Sequence, residues 1–327
     1  MSAHLREAIQ EAGGIRAAGR LLGIPESTIR ARLRRTIAEE FEVSEVPAAI
    51  DVDELISERI RKFTRLRKVT DAAAVRTVRL KTNEPIGIGF MGDLHLDDDG
   101  TNIAKVLDHA EIFSGTHPGL YAAFLGDAQN SWAGRLERLY GEQSTSINES
   151  LALAEHVLRK IYWLFIVIGN HDLWSRQQAL FEWLVRDNTV ITKTHEQRIR
   201  LLFPNKREVV VRARHGFPGH SQWTKQFGQI KAAVLGGDAD IYVGGHKHVS
   251  GYSHGWHDGQ RRMWHAIQVA SYKEIDDYPV ELGLSPADLY QCPVAIIDPR
   301  AKDPINLVRW EFDVAEGAAR LAWERSR

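Results

Sequence analysis

Five short runs of β-branched and other apolar residues each end in a cluster of residues that can bind metal ions. Their length and composition are those of strands, and a polar loop follows each one. The clusters, in chain order, are Gly92-Asp93-Leu94-His95, Gly126-Asp127, Gly169-Asn170-His171-Asp172, Arg214-His215-Gly216 and Gly245-His246-Lys247-His248. Because loops at one edge of a sheet face the same crevice, ligands far apart in sequence can converge there. The sequence therefore predicts strands whose loops build one shared metal site.

The clusters offer Asp, Asn and His side chains as donors. Oxygen and imidazole donors without a thiolate suit Mn, Fe, Zn or Ni better than a sulfur-rich structural zinc site. Cys292 is the only cysteine, which excludes an intrachain disulfide and a cysteine-based metal cluster. One carboxylate can bridge two ions about 3.5–4 Å apart, and such a pair suits phosphoryl displacement. We therefore expect two divalent metal ions, with Mn favoured and Fe, Zn or Ni as alternatives.

In this order the clusters resemble the pattern D-x-H, G-D, G-N-H-D/E, H and G-H-x-H of the calcineurin-like metallophosphoesterases, over residues 84 to 300. The resemblance implies an α/β fold with two sheets packed face to face and flanked by helices. It also implies the ligand sets. Metal one would be held by Asp93, His95, Asp127 and His248, and metal two by Asp127, Asn170, His215 and His246. Asp127 would bridge the two ions.

The same resemblance assigns the catalytic groups. His171, oriented by Asp172, would contact the substrate phosphate and protonate the leaving oxygen. Asn170 would help to stabilise charge on the phosphate. After Gly126-Asp127, many relatives carry a further acidic residue or histidine, where this chain has Ala128-Gln129-Asn130. His220 is the fallback ligand if His215 does not bind.

Helical spacing between the strand-like runs supports alternating α/β layers, which fit either two packed sheets or one doubly wound sheet. We expect helices over 102–114, 144–159 and 174–186, closing strands over Val294–Ile297 and 305–312, and a terminal helix over 315–327. Several side chains near the clusters are candidates for substrate contacts. Stacking on nucleobases is possible for Trp132, Trp174, Trp223 and Trp256, and phosphate contacts for Arg135, Arg176 and Lys225. For each of them, core packing or ordinary surface placement is at least as good an explanation.

Charge is strongly segregated in the first quarter of the chain. Residues 1–35 carry +4, residues 36–58 carry −8 and residues 59–81 carry +8, although the whole chain has a net charge of −1. Residues 17–30 resemble helix-turn-helix units of the Fis and pipsqueak types, whose second helix enters the DNA major groove. By that analogy the DNA contacts would come from Ser27, Thr28, Arg30, Arg32, Arg34 and Arg35. The alternative is a helical cap or protein-interaction module with solvated arginines.

These patterns predict four segments: a helix-turn-helix module over 1–36, an acidic linker over 37–53, a basic helix and connector over 54–83, and a metallophosphoesterase domain over 84–327. The basic helix would follow a phosphate backbone or dock on the catalytic domain. No stretch is apolar enough to span a bilayer and the N-terminus lacks a signal peptide's apolar core, so we expect a cytoplasmic protein without a membrane partner. The oligomeric state is open.

Three functions fit the sequence. The favoured one is a two-metal phosphodiesterase or nuclease that acts on DNA placed by the N-terminal module. The second keeps the hydrolase but gives it a small phosphate ester or nucleotide as substrate, with a regulatory N-terminus. The third is a non-enzymatic DNA-binding regulator that uses the metal fold as a scaffold.

Overall fold

The computed structural model describes residues 2–40, 51–72, 75–141, 143–174, 191–275 and 290–327. The chain divides into two compact units, Met1–Lys68 and Val69–Arg327. Among the described residues, no helix has both the length and the apolar composition needed to cross a membrane.

The first unit is helical, as predicted. It contains α1 (Ser2–Glu11), α2 (Ile15–Leu22), α3 (Glu26–Glu40) and most of α4 (Val52–Ala72). Gly23 ends α2 in the left-handed conformation, with φ of 66°, and its N–H donates to the carbonyl of Gly19. This cap is the usual helix stop, because glycine adopts positive φ without steric cost. Ala18 of α2 and Ile29 of α3 are fully buried, so the two helices share a small core, whereas Leu21 and Leu22 at the end of α2 are exposed.

The second unit contains twelve described strands. They are β1 (Arg76–Arg79), β2 (Ile86–Met91), β3 (Leu120–Phe124), β4 (Trp163–Ile168), β5 (Ile191–Thr194), β6 (Glu196–Leu202), β7 (Glu208–Arg214), β8 (Ile241–Gly244), β9 (Gly251–His257), β10 (Arg262–Gln268), β11 (Val294–Ile297) and β12 (Val308–Glu311). One six-stranded sheet has the order β1-β6-β7-β8-β10-β9, and the other has β12-β11-β2-β3-β4-β5. Strands β2 to β5 run parallel, as do β7, β8 and β10.

Helices cover the outer faces of both sheets. The described helices of this unit are α5 (Ile103–Ile112), α6 (Ile147–Lys160), α7 (Asn170–Trp174), α8 (Phe227–Gly236) and α9 (Val314–Arg325). Side chains from both sheets, such as Phe90 and Val211, form one shared buried cluster. A second cluster joins the β2 sheet to α5, α6 and α9, and a third joins the other sheet to α8. The predicted two-sheet α/β fold flanked by helices is confirmed.

Local differences from the sequence-based elements have simple causes. The strand expected over 305–312 is shorter, because Pro304–Asn306 forms a 3-10 turn capped by the Asp303 side chain and β12 begins only at Val308. Within the predicted connector, Arg76–Arg79 forms β1 and pairs with β6. Of the helix expected over 174–186, everything after Trp174 lies outside the described residues.

Candidate metal centre

The five clusters follow directly on the carboxyl ends of five strands. Strands β2, β3, β4, β7 and β8 end at Met91, Phe124, Ile168, Arg214 and Gly244, and the cluster residues begin within one or two positions. Parallel strands place their carboxyl ends at one edge of a sheet, which brings distant loops together. Two groups of side chains meet there. They are Asp93, His95 and His248, and Asp127, His215 and His246.

In the first group, the three candidate ligand atoms lie within 4.8 Å of one another. The Nε2 atoms of His95 and His248 are 3.1 Å apart, and His248 Nε2 is 3.7 Å from Asp93 Oδ1. Asp93 Oδ1 is buried and has no hydrogen-bond partner among the described residues. An unpaired buried carboxylate oxygen is costly. A cation between these three atoms would satisfy it, so the donor set fits a metal ion.

The His95 ring is held in one tautomer. Its Nδ1 lies 2.8 Å from Asn130 Oδ1, and both residues are buried. Asn130 Nδ2 in turn donates to Asp98 Oδ2 at 2.9 Å, which fixes the orientation of the carboxamide. With Nδ1–H donating to Asn130, the Nε2 lone pair of His95 points towards Asp93 and His248. Metal-binding histidines are typically oriented in this way.

The second group is similarly prepared. His215 Nδ1 donates to the carbonyl oxygen of Leu125 at 2.7 Å, which leaves Nε2 as an acceptor in the neutral ring. Nε2 faces Asp127 Oδ2 at 3.0 Å, Asn170 Oδ1 at 2.8 Å and His246 Nδ1 at 3.1 Å. These atoms are carboxylate, carboxamide and imidazole acceptors that converge on one point. The geometry fits a second cation, and Asn170 lies together with the other three residues predicted to bind it.

Electrostatics around the two groups are strongly perturbed. Burial raises the pKa of Asp93 to about 7. Burial also opposes protonation of His215, yet its hydrogen bond with the Asp127 carboxylate prevails and raises its pKa to about 9, so a metal ion bound at Nε2 would have to displace a proton. Burial lowers the pKa of His95 well below its usual value. The charge of Asp127 acts on both His95 and His215, so this carboxylate influences both groups. Such clustered shifts are typical of functional sites.

Backbone strain is concentrated at the same residues. Asp93, His95, Asp127, His246 and His248 all have positive φ, between 42° and 73°. Each left-handed residue other than glycine costs roughly 1–2 kcal/mol, and such strain persists where the surrounding structure enforces it. Five of the six aspartate and histidine residues in the two groups have this strained backbone conformation. The strain indicates a site shaped for function rather than for stability.

Two motif glycines provide space for the carboxylates. A Cβ on Gly169 would lie 2.1 Å from Asp127 Oδ1, and a Cβ on Gly245 would lie 2.2 Å from Asp93 Oδ2. Neither distance is compatible with a side chain. The close approach of backbone to carboxylate explains why glycine precedes the ligand residues in these two clusters.

The carboxylate of Asp172, the residue predicted to orient His171, contacts the backbone of two loops. This buried carboxylate accepts hydrogen bonds from the backbone N–H groups of Asp127, Ala128 and Gly169 at 2.8–2.9 Å. Asp172 therefore ties the β3 loop to the β4 loop. Burial raises its pKa to about 6. His171 is oriented instead by its Nδ1, which donates to the carbonyl oxygen of Asn130.

His171 stands beside the second group with its other nitrogen available. Its Nε2 is 4.0 Å from Asp127 Oδ2, and its backbone N–H donates to Asp127 Oδ1 at 3.0 Å. The rings of Trp132 and Trp174 flank the imidazole, with centroid distances of 5.6 Å and 4.2 Å. Two of the four tryptophans thus border the site.

Sequence reasoning missed the network that supports these groups. Asp97 is buried and accepts from the backbone N–H of Asn130 at 2.7 Å and from the Ser150 hydroxyl at 3.0 Å. Gln143 Nε2 donates to the same carboxylate at 3.3 Å. The available signal was Gln129-Asn130 after Gly126-Asp127-Ala128, where this chain departs from the family pattern. The residues of this network come from different loops that are far apart in the sequence, so no local pattern links them.

The other candidates are dispersed. His220 is exposed and stands in neither group, so His215 is the histidine of its loop that reaches the site. Trp223 is 93% exposed and Trp256 is 42% exposed, while Lys225 is half-buried. Nothing is described for Arg176 or for the side chain of Arg135.

The six DNA-binding candidates all lie on α3. Ser27, Arg30, Arg32, Arg34 and Arg35 are exposed, and Thr28 is half-buried. Arg30 is paired with Glu26 of the same helix at 2.7 Å, and Arg16 of α2 approaches the same carboxylate at 2.9 Å. The positive charge of Arg30 is therefore partly compensated within its own unit.

No family model matches the sequence, and no curated protein matches it. Among solved structures, the chain is similar to the calcineurin-like phosphoesterase YfkN from Bacillus subtilis, with 9% identity, a TM-score of 0.38 and coverage of 74% of this chain and 97% of that one. It is also similar to a conserved uncharacterized protein, a predicted phosphoesterase, from Streptococcus pneumoniae TIGR4, with 12% identity, a TM-score of 0.31 and coverage of 70% and 98%. A protein of unknown function from Aquifex aeolicus matches at 16% identity and a TM-score of 0.30, over 50% of this chain and 80% of that one. Scores this low assign no function to the chain.

Proposed function

We propose that this chain is a metal-dependent phosphoesterase of the calcineurin-like type. The observation that carries the proposal is the convergence of two ligand groups, Asp93-His95-His248 and Asp127-His215-His246, at the carboxyl ends of neighbouring strands. Asp127 would be shared between the two ions, and Asn170 would complete the second set. Oxygen and imidazole donors favour Mn, with Fe, Zn or Ni as alternatives.

When bound, two divalent ions would polarise the phosphoryl oxygens and lower the pKa of the attacking water. The protein supplies positioning and proton transfer. His171 holds a proton at Nδ1 against the Asn130 carbonyl, so a proton on Nε2 can be delivered to the leaving oxygen. The Trp132 and Trp174 rings restrict the tilt of the imidazole. Asp172 holds the β3 and β4 loops together through the N–H groups of Asp127, Ala128 and Gly169, and Asn170 would help to stabilise charge on the phosphate.

The favoured substrate is a phosphodiester in DNA, placed by α3. Exposed arginines along one helix are suited to phosphate contacts, which set affinity without reading sequence. A small phosphate ester or nucleotide is the competing substrate, and a DNA-binding regulator without hydrolytic activity is the third possibility.

One set of assays separates these functions. Hydrolysis of double-stranded DNA, single-stranded DNA and bis-p-nitrophenyl phosphate is measured with Mn for the full chain, for Asp127→Asn and for the double variant Arg32→Ala/Arg34→Ala. Lys231→Ala/Lys302→Ala removes the same charge from exposed positions of the second unit and is the matched control.

The proposal expects Asp127→Asn to abolish hydrolysis of every substrate. The α3 variant should lose DNA cleavage but keep hydrolysis of the small diester, and its DNA affinity should depend less steeply on salt. Cleavage of the small diester alone, unchanged by the α3 variant, would favour a small substrate. DNA binding without hydrolysis by metal-loaded protein would favour the regulator.

A further inference from the structure

Helix α4 presents an apolar face to solvent. Leu55, Ile56, Ile60 and Phe63 are 45%, 50%, 60% and 65% exposed. With about 3.6 residues per turn, these four side chains fall within an arc of about 140° on the helix surface. Large exposed apolar residues grouped on one side of a helix usually mark an interaction surface, and in α4 Arg59 is the basic residue that lies between Leu55 and Phe63 on that side.

The charges of α4 are sorted along its length. Its N-terminal part carries Asp53, Glu54 and Glu58, next to Asp51, and no Lys or Arg. From Arg59 onwards the helix is basic, with Arg61, Lys62, Arg65, Arg67 and Lys68 against the single acid Asp71. A second copy running parallel would set acid against acid and base against base. In an antiparallel pair, the acidic half of each helix lies beside the basic half of the other, so the charges attract at both ends of the pair.

We propose that α4 pairs in antiparallel orientation with α4 of a second copy of this chain, so that the protein forms a two-fold symmetric dimer. Such an interface is self-complementary, as a two-fold axis requires. The charge order of the helix specifies the occupant of the apolar face, because a partner of uniform charge would meet one half of α4 with repulsion. The dimer does not depend on the proposed enzymatic function.

The register follows from three heptad-spaced residues. Asp53, Ile60 and Arg67 are seven residues apart and so lie on the same flank of the helix. Asp53 and Arg67 of one helix are about 21 Å apart along the axis and cannot pair with each other. When Ile60 lies at the two-fold axis, Asp53 faces Arg67 of the second copy, and the reciprocal pair forms on the other side.

The first experiment measures the mass of the full chain by sedimentation equilibrium across a wide range of concentration. A single pair of helices of this length forms a small interface, so the dimer should dissociate on dilution. Asp53→Arg and Arg67→Asp should each weaken the dimer about tenfold, because each places like charges together twice. The double variant Asp53→Arg/Arg67→Asp should restore the affinity. Circular dichroism verifies that α4 is retained.

The second experiment tests the register by cross-linking. Cys292 is buried, so a cysteine introduced on α4 is the one that a short bismaleimide reaches. Ile60→Cys should cross-link two chains efficiently. Ser57→Cys, which is on the same helix but off the apolar face, is the matched control and should cross-link poorly.

Four results would overturn the proposal. A chain that stays monomeric at all concentrations, including those used for cross-linking of Ile60→Cys, would contradict the dimer. The dimer could persist unchanged in both single charge reversals, which would place the interface elsewhere. Failure of the double reversal to restore a dimer weakened by each single one would exclude the antiparallel register. A dimer that appears only when DNA is added would assign the face to a nucleic-acid complex instead.

Discussion

Asn130→Ala should weaken metal binding in the first group without removing a ligand. In the native site, Asn130 Oδ1 accepts the His95 Nδ1 proton at 2.8 Å, and Asn130 Nδ2 is anchored on Asp98. A bound cation withdraws electron density from the ring and makes Nδ1–H a stronger donor, so this hydrogen bond is worth more with metal than without it. The alanine variant keeps the Asn130 backbone carbonyl that orients His171.

The expected magnitude follows from burial. Leaving a buried donor unpaired costs about 1–3 kcal/mol, and each 1.4 kcal/mol corresponds to about a tenfold change in affinity. Loss of a hydrogen bond that orients a metal ligand usually lowers affinity about 10–100-fold, which agrees with that cost. We expect the weaker of two measured Mn affinities to fall by this factor.

The assay is a competition titration of Mn against a chromophoric chelator. Ser150→Ala is the matched control, since Ser150 donates to Asp97 in the same network but does not contact His95. It should lower the thermal stability and leave the Mn affinity unchanged. Equal Mn affinity in Asn130→Ala and the wild type, within about twofold, would refute the role of Asn130 in orienting His95.

Three further outcomes are expected. Gly169→Ala should abolish Mn binding and hydrolysis, because the new Cβ would clash with Asp127 Oδ1. Gly141→Ala is the control and should retain both, because no atom lies within 4 Å of its Cβ. Equal activity of the two variants would contradict the clash. Adding Mn at about 100 times its dissociation constant should stabilise the fold by about 2.7 kcal/mol per site, measured as a rise in Tm that EDTA reverses. A Tm that changes with neither Mn nor EDTA would contradict a metal site in the folded state. Burial opposes ionisation of Glu196, but hydrogen bonds from Arg212 and Arg198 prevail and lower the pKa of this carboxyl below 4.5. The ionised Glu196 therefore stabilises the fold above that pH, and this contribution is lost as the pH falls through the folded-state pKa. Glu196→Gln should therefore cost about 1–3 kcal/mol in urea unfolding at neutral pH and progressively less in acid, and a cost independent of pH would contradict this account.

The residues of the two groups were predictable because each follows a recognisable strand and their order in the chain matches a known pattern. Hydrophobic periodicity located the ends of β2, β3, β4, β7 and β8, and parallel topology then required their loops to meet. The left-handed backbone at Asp93 or His248 was not predictable, since no local sequence preference requires it.

The supporting contacts could not be predicted for two physical reasons. The family resemblance assigned the orientation of His171 to Asp172, but neighbouring residues on a helix point in different directions, and the Asp172 carboxylate turns towards the β3 loop. Asn130 reaches His95 across 35 positions of the chain, a contact that arises from the pairing of β2 with β3 rather than from local pattern. Sequence spacing predicts which loops meet, whereas side-chain partners depend on the packing of those loops.

The most direct test of the metal centre is the number of Mn ions bound per chain at saturation, measured by equilibrium dialysis with elemental analysis. The account predicts two ions for the wild type, one for His248→Ala and fewer than two for Asp127→Asn, with hydrolysis of bis-p-nitrophenyl phosphate lost in both variants. A wild-type chain that binds no Mn, Fe, Zn or Ni under these conditions, or hydrolyses the diester equally well in EDTA, would contradict it.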